Sequence, residues 1–313
     1  MLDLNALPLD ALFTELTRDG SLTRLLILAL DEDLGPGGAP GDITTLASLP
    51  DYARANASVV ARSGGVIAGL RAIPELLKVF APEVISSVQV ADGQTVRVGD
   101  CLAELAGPTR QILAAERTLL NLVGRLSGVA THTRRFVDKI ASTRARLLDT
   151  RKTTPGLRGL EKYAVRCGGG FCHRIGLHDA MLIKDNHLAG IPQGGLAEFV
   201  RRAVASARAT GAGLRFVEVE VDSIGQFEVL LNGGVCGPES GGVDVVLLDN
   251  MDIAMLRQAV AMRDRHASGV LLEASGGVSL ETIRAIAETG VDRISVGGLT
   301  HQAVSLDIAL DVR

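Results

Sequence analysis

The chain has no tryptophan, two tyrosines and seven phenylalanines in 313 residues. Its apolar fraction therefore comes from Ala, Val, Leu and Ile, the composition of an α/β core. Cysteine is as sparse: Cys101, Cys167, Cys172 and Cys236 make no C-x-x-C pair and no metal-finger spacing. That argues against a disulfide scaffold or a zinc module, and free thiols in a reducing compartment are expected. No apolar run approaches the roughly 20 residues of a bilayer span; Leu25 to Leu30 is only a helix-length patch. The segment Met1-Leu-Asp-Leu-Asn lacks the charged and apolar regions of a signal peptide, so the expected compartment is the cytoplasm. With a net charge of −4 there is no positive surplus to hold nucleic acid or an anionic membrane. Lysine is scarce beside 27 arginines: there are five, and three of them are Lys152, Lys162 and Lys184.

What is present is a local excess of positive charge. Between Arg151 and His187 stand seven Arg or Lys residues and three His, opposed only by Glu161, Asp179 and Asp185. A compact cationic cluster in an acidic chain points to a small polyanion: a dicarboxylate, a phosphate ester, or both.

The organisation places this cluster. Residues 9 to 33 read as helices. A small mixed α+β unit follows, with short β-branched runs over Ala57–Gly69 and Val84–Leu105 and a helix over Leu70–Phe80 between them. After Gly107-Pro-Thr109 a long helix carries Ile112, Leu119, Leu120, Val123 and Leu126 at helical spacing. From about residue 145 strands and helices alternate. Strands are expected at Ala145–Asp149, Met181–Lys184, Phe216–Val221, Val243–Asp249, Leu271–Ala274 and Arg293–Val296, with helices near 159–167, 194–210, 222–232, 251–264 and 279–288. That is the pattern of parallel β/α repeats. Polar residues stand at each strand's C-terminal edge: Asp149 to Lys152, Lys184, Glu220, Asp249, Ser275 to Gly277, and Gly297-Gly298. Six such edges converging on one site predict an α/β barrel whose active site lies at that face.

Each motif has its own chemistry. Thr150-Arg-Lys-Thr-Thr154 offers hydroxyl, guanidinium and ammonium donors to an anion. Gly168-Gly-Gly170 precedes the donor pair His173-Arg174. Lys184 would point into a partly desolvated mouth and needs an anion there; Asp185, Asn186 and His187 suit capping or support. Glu218, Glu220 and Asp222 share one face of a strand, and with Asp249 they supply the oxygens that hold Mg²⁺ alongside phosphates. Ser275-Gly276-Gly277 and Val296-Gly297-Gly298 end strands before helices, where backbone N–H groups bind phosphate. Arg117 lies on an otherwise apolar helix and reads as a surface arginine or an ion-pair partner.

These residues, in this order, resemble the quinolinate phosphoribosyltransferase family. The resemblance is carried by Glu32-Asp-Leu-Gly35, Gly41-Asp-Ile-Thr-Thr45, Glu116-Arg-Thr-Leu-Leu-Asn121, Asp149–Gly156, Glu161-Lys-Tyr-Ala164, Gly168–Arg174, Leu182–His187, Val217–Glu220, Leu248-Asp-Asn-Met251 and Glu273–Gly277. It implies an N-terminal open-faced α/β sandwich domain, 1–115, and an incomplete TIM-like α/β barrel, 116–313, with a C-terminal helix returning to the first domain. It implies a pentosyltransferase that joins quinolinate to phosphoribosyl pyrophosphate with Mg²⁺, yielding nicotinate mononucleotide, pyrophosphate and CO₂. By the same resemblance Arg151, His173, Arg174 and Lys184 hold the quinolinate carboxylates, and Arg117 reaches in from the other subunit of a homodimer that can assemble further to a hexamer. Lys152, Glu220 and Asp249 serve as catalytic residues around ribose, pyrophosphate and Mg²⁺, with Glu220 and Asp249 as metal ligands largely through substrate and water. Ser275, Gly276, Gly277, Val296, Gly297 and Gly298 hold the 5′-phosphate.

Three features depart from the family pattern. Cys172 stands where Asn or Ser is expected, and His178 where a smaller residue is usual. Glu220 and Asp249 lie 29 residues apart, a spacing lengthened by a Gly-rich stretch, Asn232–Gly242, that reads as a surface insertion. Two other readings compete. A molybdenum-transport-type relative would share the fold and use another substrate, but the quartet Arg151, His173, Arg174 and Lys184 favours a dicarboxylate. A biotinyl- or lipoyl-type carrier would need a lysine in the hairpins of Val88–Leu105, and none lies between Lys78 and Lys139.

Overall fold

A computed structural model of the chain describes residues 2–211, 213–237, 241–266 and 269–313. It divides into two compact units, one of Leu7–Arg134, Thr153–Gly169 and Gly298–Arg313, the other of Met1–Ala6, Arg135–Lys152 and Gly170–Gly297. The division expected at residue 115/116 falls inside one continuous helix, Thr109–Ile140. No breaker interrupts that stretch and its apolar residues keep helical spacing, so the helix runs on past the expected boundary. None of the helices among the described residues is long and apolar enough to cross a membrane.

The first unit is built on a four-stranded antiparallel sheet in the order Ile308–Val312, Arg54–Ala61, Cys101–Pro108, Ile85–Val88. Val59, Ala61, Leu102, Ala103 and Leu105 are buried, whereas Ile85–Val88 is exposed throughout and leaves that edge uncovered. The helix Ile73–Phe80 buries Ile73, Leu76, Leu77 and Phe80, the i, i+3, i+4, i+7 stripe of an amphipathic helix. The chain returns to this sheet as a strand, where a helix was expected. Ile308, Leu310 and Val312 alternate with Ala309 and Asp311, and a period of two selects a strand. Gly124 and Gly128 make room for that return. A Cβ on Gly128 would sit 2.1 Å from the Val304 carbonyl oxygen, and the Leu306 N–H donates to the Gly124 carbonyl at 2.9 Å.

This unit also holds the far half of the Asp149–Gly156 motif. The Thr154 amide and hydroxyl donate to the Glu161 carboxylate at 3.0 and 2.9 Å, and Arg125 pairs with the same carboxylate at 2.7 Å. Glu161 is wholly buried, so its charge is acceptable only because these donors surround it.

The second unit is a six-stranded, all-parallel sheet. Its order is Arg146–Leu148, Arg293–Ser295, Leu271–Ser275, Val245–Asp249, Val217–Val221, Met181–Ile183. That order is the chain order read around a circle, which is how a β/α barrel is wound. The circle stays open between Arg146–Leu148 and Met181–Ile183, where among the described residues no strand pairing joins the two edges. Phe171 makes a single parallel bridge to Leu148 at this gap. The helices Leu196–Ala209, Ile224–Asn232, Ile253–His266 and Ile283–Ala287 follow their strands as the sequence alternation requires. The architecture is therefore the incomplete α/β barrel expected. Of the Gly-rich stretch Asn232–Gly242, residues 238–240 lie outside the described residues; Cys236 bridges Val243 at its base.

Candidate active site

Because the six strands are parallel, their C-terminal ends open on one face of the second unit. That face gathers Arg151, Lys152, Lys184, Glu220, Asp249, Ser275, Gly276, Gly277, Val296 and Gly297. The segment bridging the gap at Phe171 delivers His173 and Arg174. Arg117 and Gly298 belong to the other unit; Arg117 is exposed on the helix Thr109–Ile140, and Gly298 opens the short helix Gly298–His301.

The segment carrying Arg174 is fixed by local chemistry. Asp149, wholly buried, accepts the His173 amide at 2.8 Å, and Phe171 pairs with the main chain on both sides of Leu148. Asp179 accepts the amides of Ile175 and Gly176 at 2.8 Å each and pairs with Arg215 at 3.2 Å. Burial opposes the Asp179 charge, yet these donors hold its carboxyl below the ordinary 3.8. Cys172, the departure noted in the sequence, is buried, and the Asn5 side chain brackets it by donating to its carbonyl and accepting its amide at 2.9 and 2.8 Å. The other departure, His178, is exposed, with its ring against Gly176.

Arg174 is itself 7% exposed. Burial and the neighbouring charge of Arg151 press its guanidinium below its ordinary pKa, against the pull of Glu218, Asp179 and Glu220. The Arg151 Nε is buried without a hydrogen-bond partner. Among the described residues neither guanidinium has a carboxylate within ion-pair distance. Two cations that repel each other at a barrel mouth, neither held in an ion pair among the described residues, form a place suited to an anion.

Next to this corner the sign of charge reverses. Lys184, which ends the strand Met181–Ile183, ion-pairs with Glu220 on the neighbouring strand, and its amide donates to the His187 Nδ1 at 2.9 Å. His187 is thus a capping residue. Glu220 and Asp249, with Asp185, Asp222 and Gln226, line a cavity of about 350 Å³. Of the three carboxylates expected on one face of Val217–Val221, Glu218 and Glu220 are buried, whereas Asp222 passes the strand end and joins this cavity. With four carboxylates and no His or Cys among its lining residues, this cavity suits Mg²⁺ better than a softer metal.

Beyond Asp249 the chain is shaped for close approach. Ser275 stands opposite Asp249 in the parallel register, and the Asn250 amide donates to the Ser275 carbonyl at 2.9 Å. Gly276 has φ +92°, and a Cβ there would lie 2.1 Å from the Asn250 Oδ1, so only glycine fits.

Sequence reasoning passed over Glu273. It sits wholly buried in Leu271–Ser275, and with Glu218 it flanks His173: the imidazole Nε2 lies 2.9 Å from Glu218 and 3.4 Å from Glu273. The signal was there, since Glu273 is the only charged residue in an otherwise apolar strand.

An incomplete barrel whose mouth sets a cationic corner beside an acidic cavity and a glycine-lined strand end fits an enzyme that moves a group between polyanionic substrates. Residues 42–127 match the family model of the quinolinate phosphoribosyl transferase N-terminal domain, and residues 129–311 match that of its C-terminal domain. A nicotinate-nucleotide pyrophosphorylase (carboxylating) of Mycobacterium leprae is 43% identical over 91% of this chain and 94% of its own. A probable enzyme of the same name from Bacillus subtilis is 38% identical over 93% of each. The solved nicotinate-nucleotide pyrophosphorylase of Francisella tularensis superposes with a TM-score of 0.82 at 36% identity, covering 100% of both chains. The chain belongs to the quinolinate phosphoribosyl transferase family.

Proposed function

We propose that the chain transfers the phosphoribosyl group of phosphoribosyl pyrophosphate to quinolinate with decarboxylation, producing nicotinate mononucleotide, pyrophosphate and CO₂ for NAD biosynthesis. The observation that carries the substrate is the Arg151–Arg174 pair: two guanidiniums that feel each other's charge and, among the described residues, have no carboxylate within ion-pair distance, beside a mouth that also presents Lys184. A pyridine with two neighbouring carboxylates supplies the matching charge. A monocarboxylate would leave part of that charge unanswered.

In this reading Arg151, Arg174 and Lys184 hold the dicarboxylate, with His173 behind Arg174. That fixes the ring nitrogen toward the acidic cavity, and positioning supplies much of the rate. The nitrogen lone pair forms a bond to the anomeric carbon while the bond to pyrophosphate breaks and its electron pair leaves with pyrophosphate. Glu220 and Asp249 face the positive charge that develops on the ribose, and Lys152 meets the departing pyrophosphate. Glu220 and Asp249, with Asp222 and Asp185 nearby, are the residues that would hold Mg²⁺, which supplies neutralisation of the leaving group when bound. Ser275–Gly277 and Val296–Gly298 accept the 5′-phosphate through main-chain N–H groups. The ribosylated ring is cationic, so the carbon–carboxylate bond next to nitrogen breaks, CO₂ leaves, and the ring carbon takes a proton from water. We further infer a cytoplasmic homodimer in which the exposed Arg117 serves the other subunit's site. Purified protein given quinolinate, phosphoribosyl pyrophosphate and Mg²⁺ should form CO₂ and nicotinate mononucleotide in equal amounts, and EDTA should stop both. Turnover of nicotinate but not quinolinate would reject the substrate assignment.

A further inference from the structure

We infer that Glu218 and Glu273, two buried carboxylates with no part in the bond-making steps, position the substrate-binding Arg174 through the imidazole of His173. This rests on the proposed function only in taking Arg174 as a quinolinate ligand.

The cluster lies inside the barrel, below the mouth. Glu218 is the second residue of Val217–Val221 and shares a face with Glu220, one pleat nearer the N-terminal end. Glu273 stands in the middle of Leu271–Ser275, two strands away. Both are wholly buried, and His173 is 5% exposed. The imidazole joins them to the main chain of the binding segment. Its Nε2 faces the two carboxylates, and its Nδ1 accepts the Arg174 amide at 2.8 Å. Phe216 stands edge-on to the ring, with centroids 5.2 Å apart. Both ring nitrogens thus face protein groups, Nδ1 in a hydrogen bond and Nε2 within ion-pair distance of two carboxylates, which places His173 to orient Arg174.

Charge and geometry pull the ring in opposite directions, and the hydrogen bond at Nδ1 decides between them. Burial opposes charging the ring, yet Glu273 and Glu218 outweigh it and push His173 up to about 10. A doubly protonated ring, however, would turn an N–H against the Arg174 amide hydrogen. That contact fixes the neutral tautomer with its proton on Nε2, aimed at the carboxylates. Arg293 adds a positive charge that acts on both carboxylates.

The same three side chains have the composition of a metal site, their ligand atoms lying within 4.8 Å of one another. The tautomer excludes it. A metal would need a bare Nε2, which moves the ring proton to Nδ1 and against the Arg174 amide hydrogen. Nor does folding account for the cluster, because replacing buried ionic groups by apolar ones is often neutral or stabilising. Carboxylates kept here fit a role in holding one orientation of a neighbouring group.

The test is steady-state kinetics on folded Glu273→Gln and Glu218→Gln proteins. The KM for quinolinate should rise about 10- to 100-fold, as for other displaced binding groups, while the KM for phosphoribosyl pyrophosphate changes less than about twofold. Glu273→Gln should add little to Arg174→Met, because both act on one group. Unchanged quinolinate KM in the Gln variants, or effects that multiply fully in the double variant, would overturn the inference. Should either variant fail to fold, ¹⁵N-histidine spectra of the wild-type protein decide: a bare Nδ1 on His173 is expected, and a protonated Nδ1 overturns it. Wild-type protein inactive on quinolinate would instead remove the functional reading beneath it.

Discussion

Replacing Arg174 by Met separates what this residue does for the ligand from what it does for the fold. The substitution keeps an unbranched apolar stem and removes the charge. In the free protein that charge is 7% exposed, crowded by Arg151 and lacks a carboxylate within ion-pair distance among the described residues. Its loss should therefore leave thermal stability unchanged or raise it, by about 2–4 °C per kcal/mol relieved. With quinolinate bound the sign reverses. A hydrogen bond to a charged group contributes about 1.5–3 kcal/mol, and about 1.4 kcal/mol is a tenfold change. The KM for quinolinate should rise about 10- to 150-fold while that for phosphoribosyl pyrophosphate holds. Thermal unfolding with and without quinolinate reads both effects. Ligand at about 100 times its Kd stabilises the wild type by about 2.7 kcal/mol, and that shift should collapse in Arg174→Met. A variant that melts several degrees lower yet keeps the full quinolinate shift would refute the assignment, since Arg174 would then be a structural residue.

Three further outcomes follow from the same geometry. Lys184→Met should weaken quinolinate binding about tenfold, as expected for one charge-assisted bond; it also frees Glu220, so the affinity for Mg²⁺, read by titration, should rise and not fall. Gly276→Ala should raise the KM for phosphoribosyl pyrophosphate at least about tenfold, because the strained φ and the Asn250 contact displace the loop; an unchanged KM would remove Ser275–Gly277 from the phosphate site. Asp179 has its folded pKa depressed below the ordinary 3.8. Its contribution to stability is therefore complete above that value and lost as pH falls through the folded pKa. Asp179→Asn should flatten the acid limb of a stability–pH curve below about pH 4, with little change in its slope at neutral pH.

The barrel was legible because strand and helix periods are local properties. Each of the six strands expected from residue 145 onward is found within two residues of its forecast ends, and their order follows from right-handed winding. The cationic motif was legible for a similar reason, since Arg151 and Lys184 stand just beyond apolar runs and Arg174 follows Gly168-Gly-Gly170 and His173. What stayed hidden depends on what meets across the fold. The C-terminal strand was read as a helix because its partner, Arg54–Ala61, lies some 250 residues earlier, and only that pairing shows why Ile308, Leu310 and Val312 alternate. Glu218 was grouped with Glu220 and Asp222 by spacing alone. The spacing could not tell that His173 would cap one carboxylate, Lys184 pair with the second, and the third leave the strand. Asp149 and Asp179 read as motif and loop residues, and their work as amide acceptors appears only once the chain around Phe171 folds back on them.

The strand order explains how opposite charges coexist in one mouth without cancelling. Free guanidiniums near free carboxylates would collapse into ion pairs and leave neither substrate a site. Around the barrel the cations follow Leu148, the gap segment at Phe171, and Ile183; the carboxylates follow on Val217–Val221 and Val245–Asp249; the glycine-lined ends come after Leu271–Ser275 and Arg293–Ser295. Each charge type thus occupies its own arc, and the arcs touch where Met181–Ile183 pairs with Val217–Val221. There Lys184 and Glu220 do form an ion pair. That contact marks the boundary between the cationic corner and the acidic cavity, which is where, in the proposed reaction, a pyridine nitrogen held by the first meets an anomeric carbon held by the second. The bond that the enzyme is proposed to make therefore lies over the one strand pair where the two electrostatic fields meet.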